Sequence, residues 1–464
     1  VSALALVEKV KGLTSYFDVS QTETKLKEVI SDSERLDRIL FAYTIFCCVY
    51  LFLFPSYPTD DILRHSVSYR LGYDLRSLYY ESYWPSFNPY MLFDMIAGLF
   101  NEWFGIYGIS VIQSIILALT VIALRKLGRD IFTPATFLLY LAICLYISDY
   151  LSARPKAVVN ALFLLSLAYP LISPLLMLIA VPIYSAFWLY IPPLLVYHFS
   201  RERKTIVLLL CAVLCFGLIF WLINGGGDYI VFISNLINVR KLRSAGLDVT
   251  ENISIIRGMA VYLFLFYPYF FHAMKEKRAF LSGLYFMAVN QVRFLPSLTP
   301  IALRFFRYES AIRLPYMFVI LFLFMIPNLK SVPFPETAQA VIKSVEKAFE
   351  GVDMRGRILA VPLVNFALTY LYAGKRDLQI APPPEVGFLN QELQENIKKP
   401  DCEVLQRYNI RYYVASPLSR IDESNLDCLE LLRVSNKFSL YRVAGGRNGA
   451  KKSINIMDYS PSIL

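Results

Sequence analysis

Histidine and tryptophan are scarce in this chain, at three and four residues among 464. The cysteines and histidines never stand at a zinc-ligand spacing, so a zinc site is not expected. Acidic residues form no compact multi-acid loop of the kind that wraps a hard divalent cation. The long apolar stretches show no alternation of apolar and polar residues, which argues against a membrane β-barrel. No cleavable signal peptide, internal repeat or low-complexity tract is recognised. The lack of an obvious two-half symmetry also argues mildly against many transporter folds. The glycine triplet in Asn224-Gly-Gly-Gly-Asp228 lacks the strand, lysine and hydroxyl of a phosphate-binding P-loop, so it reads as a turn. Charged residues make up 18% of the chain and apolar residues 56%, with a mean hydropathy of +0.48. A soluble globular protein of this size would be less apolar.

What remains is long, nearly uncharged runs that recur over residues 39–328. Many approach the length that crosses a hydrocarbon core of about 30 Å as a helix. Lipid cannot satisfy open backbone groups, so spans of this kind are helical. The formal charge is +10. Its basic residues cluster at the ends of apolar runs, which is a topology signal and not a nucleic-acid surface. The expected architecture is an α-helical polytopic membrane protein with about eleven transmembrane helices. Residues 1–38 are expected to form a cytoplasmic arm with an amphipathic helix, and the first apolar run an uncleaved anchor. The stretch 157–199 is broken by Pro170, Pro174, Pro182, Pro192 and Pro193. Three short or broken segments there would return the basic Arg201-Glu-Arg-Lys204 to the cytoplasm, and such segments suit the wall of a site. Further spans are expected at about 205–223, 255–273, 279–292, 297–306 and 312–328. The polar segment after the glycine triplet carries Arg240, Lys241 and Arg243 on the outer side. It reads as a surface amphipathic helix or as a phosphate contact.

Residues 329–464 change character. Strands are expected at 357–362, 410–415 and 438–443, with a helical turn at 403–408. That order suggests a small α/β domain on the extracytoplasmic side, ending in a flexible tail from Gly445. Cys402 and Cys428 lie here and would pair only if brought together in an oxidising compartment. Cys47, Cys48, Cys144, Cys211 and Cys215 lie in apolar runs and read as packing residues.

The chemically densest run is Tyr57-Pro-Thr-Asp-Asp-Ile-Leu-Arg-His65, just past the first apolar run, in an outer loop expected over 57–103. Pro58 and Thr59 favour a helix start. Such a helix places Asp60 over Arg64 and Asp61 over His65 at i,i+4. A capped helix with internal salt bridges accounts for the same residues. A reaction centre also does. Two adjacent carboxylates resist double ionisation, so one is a better general base near neutral pH. Arg64 and His65 can hold a departing phosphate by charge-assisted hydrogen bonds. Asp74 and Asp94 are alternative acids.

An acidic pair in the first outer loop resembles the signature of the GT-C glycosyltransferases, polytopic enzymes that use polyprenyl-phosphate-linked sugars. The resemblance is specific only over Asp60-Asp-Ile-Leu-Arg-His65, with weaker echoes at Ser152-Ala-Arg-Pro-Lys156 and Arg293-Phe294. It implies Asp60 as general base, with Asp61 supporting it or exchanging roles. It implies Arg64, His65, Arg154, Lys156 and Arg293 as donor-phosphate contacts. Interfacial snorkelling accounts for the last three equally well. Tyr69, Trp84 and Trp188 are candidates for sugar or acceptor contact, although the tyrosine-rich loop 66–90 also reads as an interfacial belt. The motif Trp-Trp-Asp of oligosaccharyltransferases is absent from the C-terminal part, which argues against that branch and its metal.

The expected activity is inverting transfer of a sugar to an extracytoplasmic protein, lipid or glycan. No cofactor is expected, a divalent cation at the acids being the alternative. The expected partners are the polyprenyl-phosphate sugar donor, membrane lipids and the acceptor. Two other functions use similar features: a transporter or flippase for lipid-linked saccharides, and a polymerase or ligase. A transporter would place charges near the middle of several spans. Here they gather at one outer rim. A ligase would lean more on arginines than on an acidic pair.

Overall fold

The computed structural model describes residues 38, 41–42, 44–45, 48–49, 61–69, 78, 80, 87–130, 154–199, 201–237, 336–353, 355–372, 378–381, 391–415, 427–435 and 438–444. These residues are mostly helical with one small sheet. They fall into two compact units, one drawn from 1–73 and 85–338, the other from 74–84 and 339–464. The spans expected at 255–273, 279–292, 297–306 and 312–328 lie outside the described residues, as do the basic segment 240–243 and the tail.

The first unit is a helical assembly. Its elements are α1 (Asp61–Ser68), α2 (Met91–Phe104), α3 (Gly108–Asp130), α4 (Pro155–Ala168), α5 (Ser173–Ile183), α6 (Ile191–Phe199) and α7 (Lys204–Ile237). α1 packs on α2, α2 on α3, α3 on α4, and α4 on α5. α4 is buried on nearly every side, as a uniformly apolar helix must be when it stands within a protein. Pro155 opens it at the position where a missing N–H costs nothing. Residues 155–199 form three short helical segments, Pro155–Ala168, Pro170–Ile183 and Phe187–Phe199. The breaks fall at Tyr169 and at Tyr184–Ala186, and three segments is the number that the charge of Arg201-Glu-Arg-Lys204 favours.

Among the described residues one helix, Lys204–Ile230, is long and apolar enough to cross a membrane, judged by length and composition. The glycine triplet interrupts it for a single residue. Gly226 takes φ +50°, a left-handed conformation that suits glycine, and the helix resumes beyond the kink. Gly225 serves a different purpose: a Cβ there would lie 2.9 Å from the Phe87 ring.

The largely apolar interior of this unit also encloses polar side chains, and several large apolar side chains stand on its surface. Asp94, Asn101, Gln113, Asn160 and Ser166 are buried, whereas Leu171, Leu208, Phe216 and Ile223 are exposed. The interior polar groups bridge between elements. The Tyr190 hydroxyl donates to Asn160 Oδ1 at 2.6 Å, and Trp221 Nε1 donates to the Val181 carbonyl at 3.0 Å.

The second unit is α/β. Its elements are α8 (Glu336–Phe349), β1 (Gly356–Ala360), α9 (Pro362–Tyr372), β2 (Leu378–Ile380), α10 (Gln391–Lys398), α11 (Cys402–Arg407), β3 (Ile410–Ala415), β4 (Leu429–Val434) and β5 (Ser439–Val443). The sheet order is β2-β1-β3-β5-β4. β1 runs parallel to β2 and β3, while β5 runs antiparallel to β3 and β4. The three expected strands and the expected helical turn are all present. β2, β4 and the remaining helices were not legible. Asp401 caps α11 by accepting from the amides of Glu403 and Val404, which sets the helix start. A disulfide joins Cys402 to Cys428 across 26 positions. In the chain-entropy account, closing a loop of that length stabilises the fold by about 3.5 kcal/mol.

One strand-like segment of this unit comes from far upstream. Ile380 N donates to the Leu78 carbonyl at 2.7 Å, and Tyr80 N donates to the Ile380 carbonyl at 3.4 Å. Leu78 and Tyr80 thus bond to the sheet at the β2 edge. The Tyr80 side chain enters the core beside Leu359, Leu393 and Tyr413, and its hydroxyl donates to the Ile358 carbonyl. The Arg357 guanidinium stands over its ring at 5.0 Å. Tyr80 is therefore a core residue and not a ring of an interfacial belt. Its replacement by alanine removes a buried aromatic and a hydrogen bond together. We expect Tyr80→Ala to lower the stability of the sheet unit by about 3–5 kcal/mol, read as faster hydrogen exchange at β1 and β2. Unaltered exchange in those strands would show that the upstream segment contributes nothing to the sheet.

Candidate functional site

α1 is a polar helix enclosed in apolar surroundings. Arg64 and His65 are 3% and 2% exposed, and Ser66 and Ser68 are buried with them. Buried ionisable groups need counter-groups. His65 finds its own on α2: Nδ1 lies 2.5 Å from Asp94 Oδ1. Asp94 Oδ2 accepts from Asn88 Nδ2 at 2.9 Å, and Asn88 Oδ1 in turn accepts from the Tyr90 amide at 2.9 Å. This orients the Asn88 amide, because its nitrogen must face the carboxylate and its oxygen the N–H.

The sequence around Asp94 builds the site locally. Asn88-Pro-Tyr90 forms the turn into α2, and Tyr90 is the residue before the helix. The Asp94 amide donates to the Tyr90 carbonyl, so the carboxylate sits in the first turn, beside the positive end of the helix. Phe93, Asp94, Ala97, Gly98 and Asn101 make the buried stripe of α2 at helical spacing. Aromatic rings wall the imidazole. Tyr90 and Phe93 meet it edge-on, with centroids at 5.0 and 5.1 Å. Tyr90 stacks on Tyr184, and the neighbouring Ser185 amide donates to the Pro89 carbonyl.

The remaining candidate residues are distributed as follows. Asp60, Trp84 and Arg293 lie outside the described residues, and Asp61 is the first residue of α1. Tyr69 follows α1 directly and packs on α2 at Gly98, where a Cβ would stand 2.5 Å from the Tyr69 Cβ. Arg154 precedes α4 and its carbonyl accepts the amides of Ala157 and Val158. Lys156 is buried in the first turn of the same helix. The hydrogen bonds of His65 and Asp94 go to one another and to Asn88, not to either of these cations. Trp188 is half-buried in the 3-10 turn Phe187–Tyr190. The structure thus joins α1 to Asp94 and does not tie Arg154, Lys156 or Trp188 to that pair.

Asn88 was not singled out from the sequence. The available signal was Asp94 itself, the single acid among residues 87–101. Its partner stands 29 positions upstream, and helical spacing within α1 points His65 at Asp61 instead.

Chemically, a histidine whose Nδ1 is hydrogen-bonded to a carboxylate has its ring orientation fixed and its Nε2 turned away from that carboxylate. Such a pair can relay a proton or orient the helix that carries it. A scan against models of known families finds no match for this chain, and neither does a comparison with curated proteins.

Asp94→Asn retains the shape of the site but removes the charge that holds His65. We expect it to lower stability by about 1.5–3 kcal/mol, the range for a hydrogen bond to a charged group. His65→Gln combined with Asp94→Asn should cost less than the two single changes added together. Strict additivity in thermal unfolding would show that the two residues do not act as a pair.

Proposed function

We propose that this chain is a polytopic membrane glycosyltransferase of the GT-C type, moving a sugar from a polyprenyl-phosphate donor to an extracytoplasmic acceptor. The observation that carries the proposal is α1: a short helix directly after Asp60, bearing Arg64 and His65 inside an apolar unit. Ionisable groups in such surroundings cost free energy and are retained where they have a task. The exposed apolar side chains of α5 and α7 support a lipid-facing surface. The Cys402–Cys428 disulfide supports an oxidising, extracytoplasmic location for the sheet unit.

In this reading Asp60 is the general base and Asp61 its support. The acceptor hydroxyl oxygen attacks the anomeric carbon, and its proton passes to the Asp60 carboxylate. The bond from the anomeric carbon to the phosphate oxygen breaks on the opposite face, and polyprenyl phosphate departs with the electron pair. Inversion follows from this single displacement. Arg64 meets the negative charge that grows on the phosphate. His65 is a positioning residue. Held by Asp94, whose other carboxylate oxygen accepts from Asn88, it fixes the orientation of α1, and hence of Arg64 one position before it. Arg154, Lys156 and Arg293 remain proposed donor contacts, and Tyr69, Trp84 and Trp188 proposed sugar or acceptor contacts.

The test is transfer of radiolabelled sugar from a panel of polyprenyl-phosphate hexoses and pentoses by purified protein in detergent. Asp60→Asn is expected to reduce transfer by about a hundredfold or more while donor binding persists. Full activity in that variant removes Asp60 from the base role. Arg64→Ala is expected to weaken donor binding about tenfold or more. An unchanged donor affinity counts against its phosphate contact.

A further inference from the structure

The helical unit buries a second imidazole whose surroundings are the reverse of those around His65. His198, in the last turn of α6, is 0% exposed. Among the described residues neither of its ring nitrogens has a hydrogen-bond partner. The Arg203 Nη1 atom is also buried without one. A buried donor or acceptor left unmade costs about 1–3 kcal/mol, and native proteins leave few of them. Several at one turn call for an explanation.

The local backbone gathers further donors at the same place. The His198 carbonyl accepts from the Arg201 and Arg203 amides, which curls the chain back at the end of α6. Glu202 takes φ +58° to make that turn, a conformation that side-chain-bearing residues rarely adopt. The Val207 amide donates to the Arg203 carbonyl, so Arg203 is the cap residue of α7. A cap position normally carries Ser, Thr, Asp or Asn, whose side-chain oxygen takes the first helix amides. Arginine has no acceptor to offer. The amides of Lys204, Thr205 and Ile206 therefore meet no acceptor from the cap side chain, at the positive end of a long helix. The Arg203 and Arg201 side chains lie within electrostatic reach of the His198 ring. Arg201 is held over the Tyr197 ring at 5.0 Å. Glu202, the one acid of the turn, is exposed.

We propose that the turn between α6 and α7 is a binding site for a phosphate-class anion, with His198, Arg203 and the first amides of α7 as its donors and Arg201 as a further cation. A water molecule could satisfy the histidine but carries no charge to set against the Arg201 and Arg203 guanidinium groups. A phosphate oxyanion answers both needs, since it accepts several hydrogen bonds and carries the opposite charge. Two sources present that chemistry: the headgroup of an anionic phospholipid, and free inorganic phosphate. The site uses none of the residues assigned above to sugar transfer, so it stands or falls separately from that function.

The experiment uses the full chain purified in phosphate-free detergent buffer. Tm is followed during titration with inorganic phosphate, and separately with chloride at matched ionic strength. In a second arm the protein is placed in nanodiscs of phosphatidylcholine with and without phosphatidylglycerol. We expect a saturable rise in Tm with phosphate, with phosphatidylglycerol, or with both, and none with chloride. Stabilisation by the lipid alone identifies a headgroup site, and stabilisation by inorganic phosphate alone identifies a soluble-ion site. Arg203→Ala, a change at a half-exposed residue that leaves the α6 core intact, should weaken the response at least about tenfold in ligand concentration. Lys126→Ala, a charge-matched change on α3, should not. His198→Gln should weaken it to a lesser degree. A response no greater than that to chloride in both arms overturns the proposal. So does an equal response in Arg203→Ala and Lys126→Ala.

Discussion

A hydrogen bond between two buried ionisable side chains, His65 and Asp94, governs the polar interior of the helical unit. Neither group is tolerated alone in apolar surroundings: the carboxylate would lose its solvation and the imidazole its donor's partner. Together they convert a desolvation cost into an orientation constraint. Asn88 takes the second carboxylate oxygen, the Tyr90 amide takes Asn88, and the Tyr90 ring stacks on Tyr184. From there the constraint reaches α7, because the Tyr229 hydroxyl donates to the Ser185 carbonyl and Phe87 packs against both Trp221 and Tyr229. The position of α1, and with it Arg64, is thus set by residues drawn from four separate stretches of chain.

The two buried histidines make a useful contrast. His65 has a carboxylate partner, Asp94, on its Nδ1. His198 is equally buried, has cations nearby, and has no hydrogen-bond partner among the described residues. The same physical rule, that buried polar groups are satisfied, explains the first and points to a missing partner for the second. Burial alone therefore does not define the role of a histidine here. The groups facing it do.

The segment between α1 and α2 is divided in its allegiance. Its ends carry Tyr69, which packs on Gly98, and Asn88, which holds Asp94. Its middle adds to the sheet at β2 and places Tyr80 in that core. The sheet unit is therefore not assembled from consecutive residues. It is completed by Leu78 and Tyr80, about three hundred positions upstream.

Much of the architecture was written in local pattern. Uniformly apolar runs without alternation specify helices: α4 lies in the run expected over 157–199, and α7 begins where its run was expected but continues through the glycine triplet that reads as a turn. Prolines at 170 and 182 end or bend helices whatever surrounds them, because the ring removes a donor and clashes with the preceding turn. The strands β1, β3 and β5 were legible as short apolar runs, with aromatic residues in the last two. β2 and β4 were not: one has three residues, and the other, largely exposed, lacks clear alternation. The candidate site divides along the same line. Asp60, Asp61, Arg64 and His65 were visible as a dense run, since adjacency in sequence is enough to see them. The pairing of His65 with Asp94, the recruitment of Asn88, the entry of Tyr80 into the sheet and the isolation of His198 were decided only by tertiary structure. Each depends on which groups meet after distant segments pack, and a buried polar atom is satisfied by proximity in space, which sequence separation does not encode.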